Sequence, residues 1–245
     1  MSRFYVPEGS VKGNLIEIGG REAHHIMDVM RLKELDKVVT FDGTGREYTG
    51  FIKEVRRKSV VIEIVETKTP QGRPACDMTL IQALPKKDKM DYIVEKSTEL
   101  GVSRMIPVVT ERTVPNWDER KRELSVERWR KISMEASKQC GRADVPDISQ
   151  VRDFTGICAN ASDYDLALIA ALDESAVDLR SVLIGFGGGK IAVAIGPEGD
   201  FTPGEVAKAK ESGFRVVSLG TRILKSDTAG LFTLAILNYE FSKQR

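Results

Sequence analysis

Along the first 66 positions apolar and polar residues mostly alternate in short runs, the period of strands that bury one face. The pattern predicts strands at 3–6, 15–18, 37–41, 48–55 and 59–65, separated by turns such as Asp42-Gly43-Thr44-Gly45. One helical stretch interrupts them at 21–32, where Ile26, Met27 and Met30 recur at helical spacing. A small β-barrel-like domain over residues 1–70 is therefore expected. The stretch 67–74 has two prolines, a glycine and no periodicity, and reads as a linker.

From residue 77 the pattern changes to strands alternating with helices, as in a mostly parallel sheet with helices packed on it. Strands are predicted at 78–83, 105–109, 166–172, 191–195 and 216–219. The last three are nearly continuous apolar runs, as strands covered on both faces require. Helices are predicted at 87–100, 119–140, 177–184, 203–212 and 228–241. The fourth is clearly punctuated: Thr202-Pro203-Gly204-Glu205 fits a capping box with proline at the first helical position, and Gly213 follows as the stop. The fold class is α/β, with a second domain over 75–245.

Composition narrows the function. The 245 residues are 41% hydrophobic and 30% charged, which excludes wholesale disorder and fibrous repeats. Apolar runs such as 166–172 are too short to cross a bilayer and the amino terminus lacks a signal-peptide core, so a cytoplasmic protein with no membrane partner is expected. The net charge of +1 divides into +1 over 1–70, +3 over 71–145 and −3 over 146–245, a slight basic surplus in the middle. Cys76, Cys140, Cys158, His24 and His25 fit no familiar zinc spacing and no disulfide framework, so no metal is expected. The His pair reads as a helix-packing feature. Nucleophilic hydrolase chemistry would have to take its base from that pair.

The glycine-rich loops differ in value. Gly185 to Lys190 fails the phosphate-loop spacing and leads into a strand rather than a helix, so it reads as a connector. Gly196-Pro197-Glu198-Gly199-Asp200-Phe201 follows a buried strand and precedes the capped helix, where open α/β sheets bind ligands. The loop from Leu219 to Ala229 also follows a buried strand and leads into a helix. Two such loops can line one pocket.

These two loops resemble the signature loops of the SPOUT superfamily, specifically the RsmE-type 16S rRNA (uracil-N3)-methyltransferases. The resemblance continues in order along the chain: His24-His25-Ile26 with Val29-Met30-Arg31, Ala83-Leu84-Pro85-Lys86, Lys89-Met90-Asp91, Glu99-Leu100-Gly101-Val102, Glu127-Arg128-Trp129, Glu135-Ala136 and Gln139-Cys140-Gly141-Arg142. It implies a PUA-like amino-terminal β-barrel for RNA, a trefoil-knotted domain that binds S-adenosylmethionine, and a homodimer with the active site at the subunit interface. The implied product is 3-methyluridine in the decoding region of the 16S rRNA of the small ribosomal subunit. Two positions depart from the family pattern: Lys225-Ser226-Asp227-Thr228-Ala229 stands where Arg-x-Glu-Thr-Ala is usual, and Asp200 stands where Gly is usual.

Methyl transfer from an activated sulfonium asks the protein chiefly for alignment. The resemblance assigns cofactor contacts to Leu172, Gly196, Pro197, Gly199, Leu219, Gly220, Ile223 and Leu224, with Thr228 offering a hydroxyl. The imide proton at N3 of uracil must leave, and Arg142 as charge stabiliser with Glu198 as proton acceptor or substrate anchor are the candidates. RNA contacts are expected at Arg128, Lys131 and Lys138 on the 119–140 helix, opposite an apolar stripe of Trp129, Ile132, Ala136 and Cys140, and also at Arg142, Arg3 and Arg31. A non-catalytic rRNA-binding or assembly protein on the same fold is the alternative.

Overall fold

β-branched and aromatic residues build the first sheet: β1 (Arg3–Tyr5), β2 (Val11–Lys12), β3 (Leu15–Gly19), β4 (Lys37–Phe41), β5 (Glu47–Val55) and β6 (Ser59–Lys68). The computed structural model describes residues 2–69, 76–87 and 89–241, and the chain divides into two units, Met1–Gly72 with Met134–Val145, and Arg73–Ser133 with Pro146–Arg245. Of the predicted linker, Thr67 and Lys68 end β6, and residues 70–75 lie outside the described residues.

In the first unit the strand order is β1-β4-β5-β6-β3-β2, antiparallel except where β1 runs beside β4. Register shifts at Thr49/Gly50 and Ile52/Glu54 bend the long β5–β6 ribbon. Gly50 has no substitute there, because a Cβ would lie 2.4 Å from the Glu63 carbonyl oxygen. The sheet covers Phe4, Val6, Ile16, Ile18, Ile26, Val38, Ile52, Val60 and Ile62.

The helix predicted at 21–32 is split. After α1 (Gly20–His24) the backbone widens into a π-helical turn over His25–Val29, with Met30 N–H bonding the His25 carbonyl at 2.9 Å. Ile26 is buried and Met30 lies at the surface, and Arg31 at φ 53° ends the segment. Residues 143–145 pair with the 43–45 turn: Gly45 N–H bonds Ala143 and Val145 N–H bonds Gly43, both at 3.0 Å.

The second unit is built on a parallel sheet: β7 (Cys76–Ala83), β8 (Arg104–Val109), β9 (Asp147–Ile148), β10 (Arg152–Asp153), β11 (Leu166–Ala170), β12 (Val177–Asp178), β13 (Gly189–Ile195) and β14 (Arg215–Ser218). The order is β10-β8-β7-β13-β11-β14-β12, with β9 beside β8. Its helices are α2 (Lys89–Glu99), α3 (Glu119–Cys140, its last turns falling in the first unit), α4 (Phe154–Cys158), α5 (Leu179–Leu183), α6 (Pro203–Glu211) and α7 (Ser226–Phe241). Along β13, Ile191, Val193 and Ile195 join one core with Met90, Ile93, Trp129 and Leu234, while Ala192 and Ala194 face the other with Phe154, Val206 and Ala209. Cover on both faces explains the unbroken apolar runs.

Three expectations are corrected. The helix predicted at 177–184 begins only at Leu179, because Val177–Asp178 pairs with β14 and the Asp178 carboxylate caps Ser181 N–H at 3.3 Å. Lys87, predicted helical, has φ 60°. On α3 the buried face is Val126, Trp129, Ser133, Ala136 and Ser137, with Ile132 half-buried and Cys140 exposed.

Candidate active site

Strands β13, β11 and β14 lie side by side, and the loops leaving their carboxyl ends enclose a cavity of about 260 Å³. Ala170, Ala171 and Leu172 line it from the first loop, Ile195, Gly196, Pro197, Glu198 and Asp200 from the second, and Val217 to Gly220 with Arg222 to Ser226 from the third, closed by Ala229 of α7. The walls are mostly apolar side chains and main chain, and the volume falls just below the roughly 300–1,000 Å³ range of small-molecule sites.

Buried polar groups hold the loops. The Ser226 hydroxyl donates to the Gly196 carbonyl at 2.6 Å and accepts from Gln82 Nε2 at 2.9 Å, and Nε2 also donates to the Ala83 carbonyl at 3.0 Å. Gln82 and Ser226 are buried, so this relay from the end of β7 ties the start of the second loop to the start of α7. Gly230 makes room for it, since a Cβ there would stand 3.1 Å from Gln82 Oε1. Asp200, at φ 59°, accepts from Leu172 N–H at 2.9 Å and Phe201 N–H at 2.8 Å, joining the first loop to the second. Arg112 donates to the Gly199 carbonyl at 2.7 Å. The predicted capping box is present: Glu205 N–H donates to Thr202 Oγ1 at 3.2 Å and Thr202 N–H to Glu205 Oε2 at 2.9 Å. The buried Glu205 carboxylate also takes Glu111 N–H at 2.9 Å.

At the mouth, the Glu198 carboxylate accepts from Lys86 N–H at 3.0 and 3.3 Å and lies 3.7 Å from Lys89 Nζ. Lys89 also donates to Asp227 Oδ1 at 3.1 Å. That hydrogen bond, helped by the Asp227 and Glu198 charges, outweighs desolvation and raises the Lys89 ammonium above its ordinary value. The result is a fixed carboxylate–ammonium–carboxylate chain beside the cavity.

Comparison with known proteins decides the family. A family described as "RNA methyltransferase domain" matches residues 72–238, and one described as "RNA methyltransferase PUA domain" matches residues 18–65. The chain is 31% identical to ribosomal RNA small subunit methyltransferase E of Bacillus subtilis, over 91% of this chain and 89% of the relative. The chain belongs to the RsmE family of RNA methyltransferases. The Synechocystis family member is also 31% identical, over 89% of this chain and 70% of its own. A crystal structure of the Neisseria gonorrhoeae member bound to S-adenosyl methionine superposes with a TM-score of 0.86 at 30% identity, covering 98% of this chain and 97% of that one.

Of the residues that the RsmE resemblance singles out, Leu172, Gly196, Pro197, Leu219, Gly220, Ile223 and Leu224 line one cavity, together with Glu198. Gly199 and Thr228 do not line it; Gly199 packs over the Arg112 side chain and Thr228 is exposed on the first turn of α7. Arg142 belongs to the first unit, where its guanidinium pairs with Asp144, and Glu198 to the second. Arg3 pairs with Glu47 and donates to the Arg142 carbonyl at 3.1 Å. Lys138 is held by Glu22 at 2.8 Å and Glu135 at 3.3 Å with its side chain only 9% exposed. Arg128 pairs with Asp91, while Lys131 and Arg31 are exposed.

The sequence pattern missed Gln82, Arg112 and the roles of Lys89 and Asp227. Only Gln82 left a signal, a long polar residue inside the apolar run of β7. The Gly185–Lys190 stretch behaves as a connector: Lys190 N–H is taken by the Asp165 carboxylate at 2.8 Å, which places negative charge where a phosphate would need donors. His25 packs edge-on to Phe4, and His24 bonds Asp28 at 2.6 Å. Among the described residues no group of three or more metal-ligating side chains occurs, and no helix is long and apolar enough to cross a membrane.

Proposed function

We propose that this chain methylates N3 of a uridine in the decoding region of the 16S rRNA of the small ribosomal subunit, using S-adenosylmethionine. The observation that carries the reading is the cavity formed by three loops at the carboxyl ends of adjacent parallel strands. Its residues fit the cofactor. Apolar walls from Ala170, Leu219, Ile223 and Leu224 suit an adenine face, and main-chain groups of the 196–198 and 218–224 loops supply polar partners. When bound, S-adenosylmethionine supplies an electrophilic methyl group. The convergence of the three loops also supports the trefoil knot that the family resemblance implies.

The protein's own part is positioning and charge. The Ser226–Gln82 relay and Asp200 hold the loops, so little reorganisation is needed on binding. Glu198, fixed by Lys86 N–H, keeps lone pairs for a uracil N3–H donor, as proton acceptor or anchor. Arg142 stabilises the charge that spreads onto the uracil carbonyl oxygens. Arg128, Lys131 and Arg31 offer cationic heads to phosphate, with Lys138 and Arg3 buttressing the first unit through their carboxylate partners. A homodimer accords with the large apolar side chains exposed at the cavity rim, Leu172 and Ile223, and on α7, Phe232 and Tyr239.

Arg142→Ala tests the assignment. It is expected to abolish labelled-methyl transfer to unmodified small-subunit particles while S-adenosylmethionine affinity stays within about twofold; wild-type turnover by the variant refutes the role of Arg142. Absence of transfer by the unaltered protein would favour a non-catalytic RNA-binding protein.

A further inference from the structure

Asp200 holds a left-handed backbone, φ 59°, at a position where the loops it resembles carry glycine. That conformation is uncommon for an L-residue, and Asp tolerates it through local side-chain hydrogen bonds; here both carboxylate oxygens are used: Oδ1 accepts Phe201 N–H at 2.8 Å and Oδ2 accepts Leu172 N–H at 2.9 Å. Each oxygen accepts about two hydrogen bonds, so one lone pair remains on each of two adjacent atoms. Gly196 lies against the group, with a Cβ there reaching 3.2 Å from Oδ1, which places the carboxylate at the wall of the cavity.

The other side-chain acceptors of that wall are hydrogen-bonded within the protein or already paired with a cation. Ser226 is spent on Gly196 and Gln82 and Ser218 on the Gly220 backbone, while Glu198, which keeps lone pairs, already has the Lys89 ammonium at 3.7 Å as its counter-charge. Asp200 pairs with no lysine or arginine among the described residues, so it is a negative fork still in need of donors. A pair of neighbouring neutral hydroxyls matches two neighbouring acceptors.

We infer that Asp200 is a specificity-determining residue that accepts hydrogen bonds from the vicinal ribose hydroxyls of the adenosyl ligand. This rests on the reading of the cavity as the cofactor site. Substituting Asp for Gly thereby exchanges an unstrained turn for discrimination between ribose and deoxyribose.

The test is calorimetric binding, independent of turnover. Wild type, Asp200→Gly and Asp200→Asn are titrated with S-adenosylhomocysteine, its 2′-deoxyribose counterpart and 5′-methylthioadenosine. A hydrogen bond to a charged group leads to an expected loss of about 10- to 100-fold on removing the 2′-hydroxyl in wild type. Asp200→Gly relaxes the backbone and shrinks that loss to within about threefold, with Asp200→Asn between. Methylthioadenosine, which lacks the amino-acid tail, is expected to bind Asp200→Gly more weakly than wild type. An equal deoxy penalty in wild type and Asp200→Gly overturns the inference. An effect that vanishes with methylthioadenosine also overturns it, assigning the carboxylate to the ligand's ammonium group instead. Failure of wild type to bind S-adenosylhomocysteine refutes the cofactor reading itself, and the inference with it.

Discussion

Replacing Ser226 by Ala removes two buried hydrogen bonds at once, the 2.6 Å bond to the Gly196 carbonyl and the 2.9 Å bond from Gln82 Nε2. Each stranded buried group costs about 1–3 kcal/mol. Gln82 keeps its bond to the Ala83 carbonyl, so its share falls at the low end, and a total of roughly 2–4 kcal/mol of stability is expected. Gln82→Met takes a donor from both the Ser226 hydroxyl and the Ala83 carbonyl, leaves the Ser226–Gly196 bond in place, and should cost about 1–2 kcal/mol. In the double variant no Gln82 amide is left seeking Ser226, so its loss should fall short of the sum by about 1 kcal/mol or more. Urea unfolding of the four proteins measures this cycle. Because the relay fixes Gly196 at the cavity, Ser226→Ala should also weaken S-adenosylmethionine binding by about 10-fold, equivalent to about 1.4 kcal/mol. Losses that add to within about 0.5 kcal/mol, with unchanged cofactor affinity, refute the relay.

Two further predictions concern titration and reactivity. Because its neighbours raise the Lys89 ammonium above the ordinary lysine value of 10.5, its stabilisation is complete below that value and lost as pH rises through the folded-state value. Lys89→Gln should therefore melt slightly lower than wild type from pH 7 to 9, by an amount consistent with an exposed pair worth about 0–1 kcal/mol, and the gap should close only at more alkaline pH; a gap that closes near neutrality contradicts the placement. In native protein a thiol reagent at pH 8 should label Cys140 quickly, whereas burial pushes the Cys76 thiol up to about 12 and the Cys158 thiol up to about 11. Rapid labelling of all three would show that the two buried sites open.

Much of the second unit was legible because its cause is local. The runs at 166–170 and 191–195 are apolar on both faces since helices cover both, and the Thr202–Glu205 box writes the start of α6 into four residues. β9, β10 and β12 are two residues each, shorter than any period that could announce them. The π-turn at 25–29 was hidden because residue types and spacing suit an α-helix equally well: Ile26 is buried in either winding. The pairing of 143–145 with 43–45 joins positions about a hundred residues apart. At the candidate site, the lining of the two loops followed from their place after buried strands, but Gln82 and Arg112 act from other parts of the chain. Thr228 shows the limit of a motif: one step along α7 from the buried Ser226–Ala229 side, its hydroxyl is exposed.

Nucleoside mass spectrometry reads the proposed N3 methylation of a decoding-region uridine without an intervening inference. Unmodified small ribosomal subunits are incubated with the protein and methyl-labelled S-adenosylmethionine, and the 16S rRNA is digested and mapped. Label is expected in 3-methyluridine at one site in the decoding region. Label in a different nucleoside, or none in 16S rRNA while the cofactor binds, would contradict it.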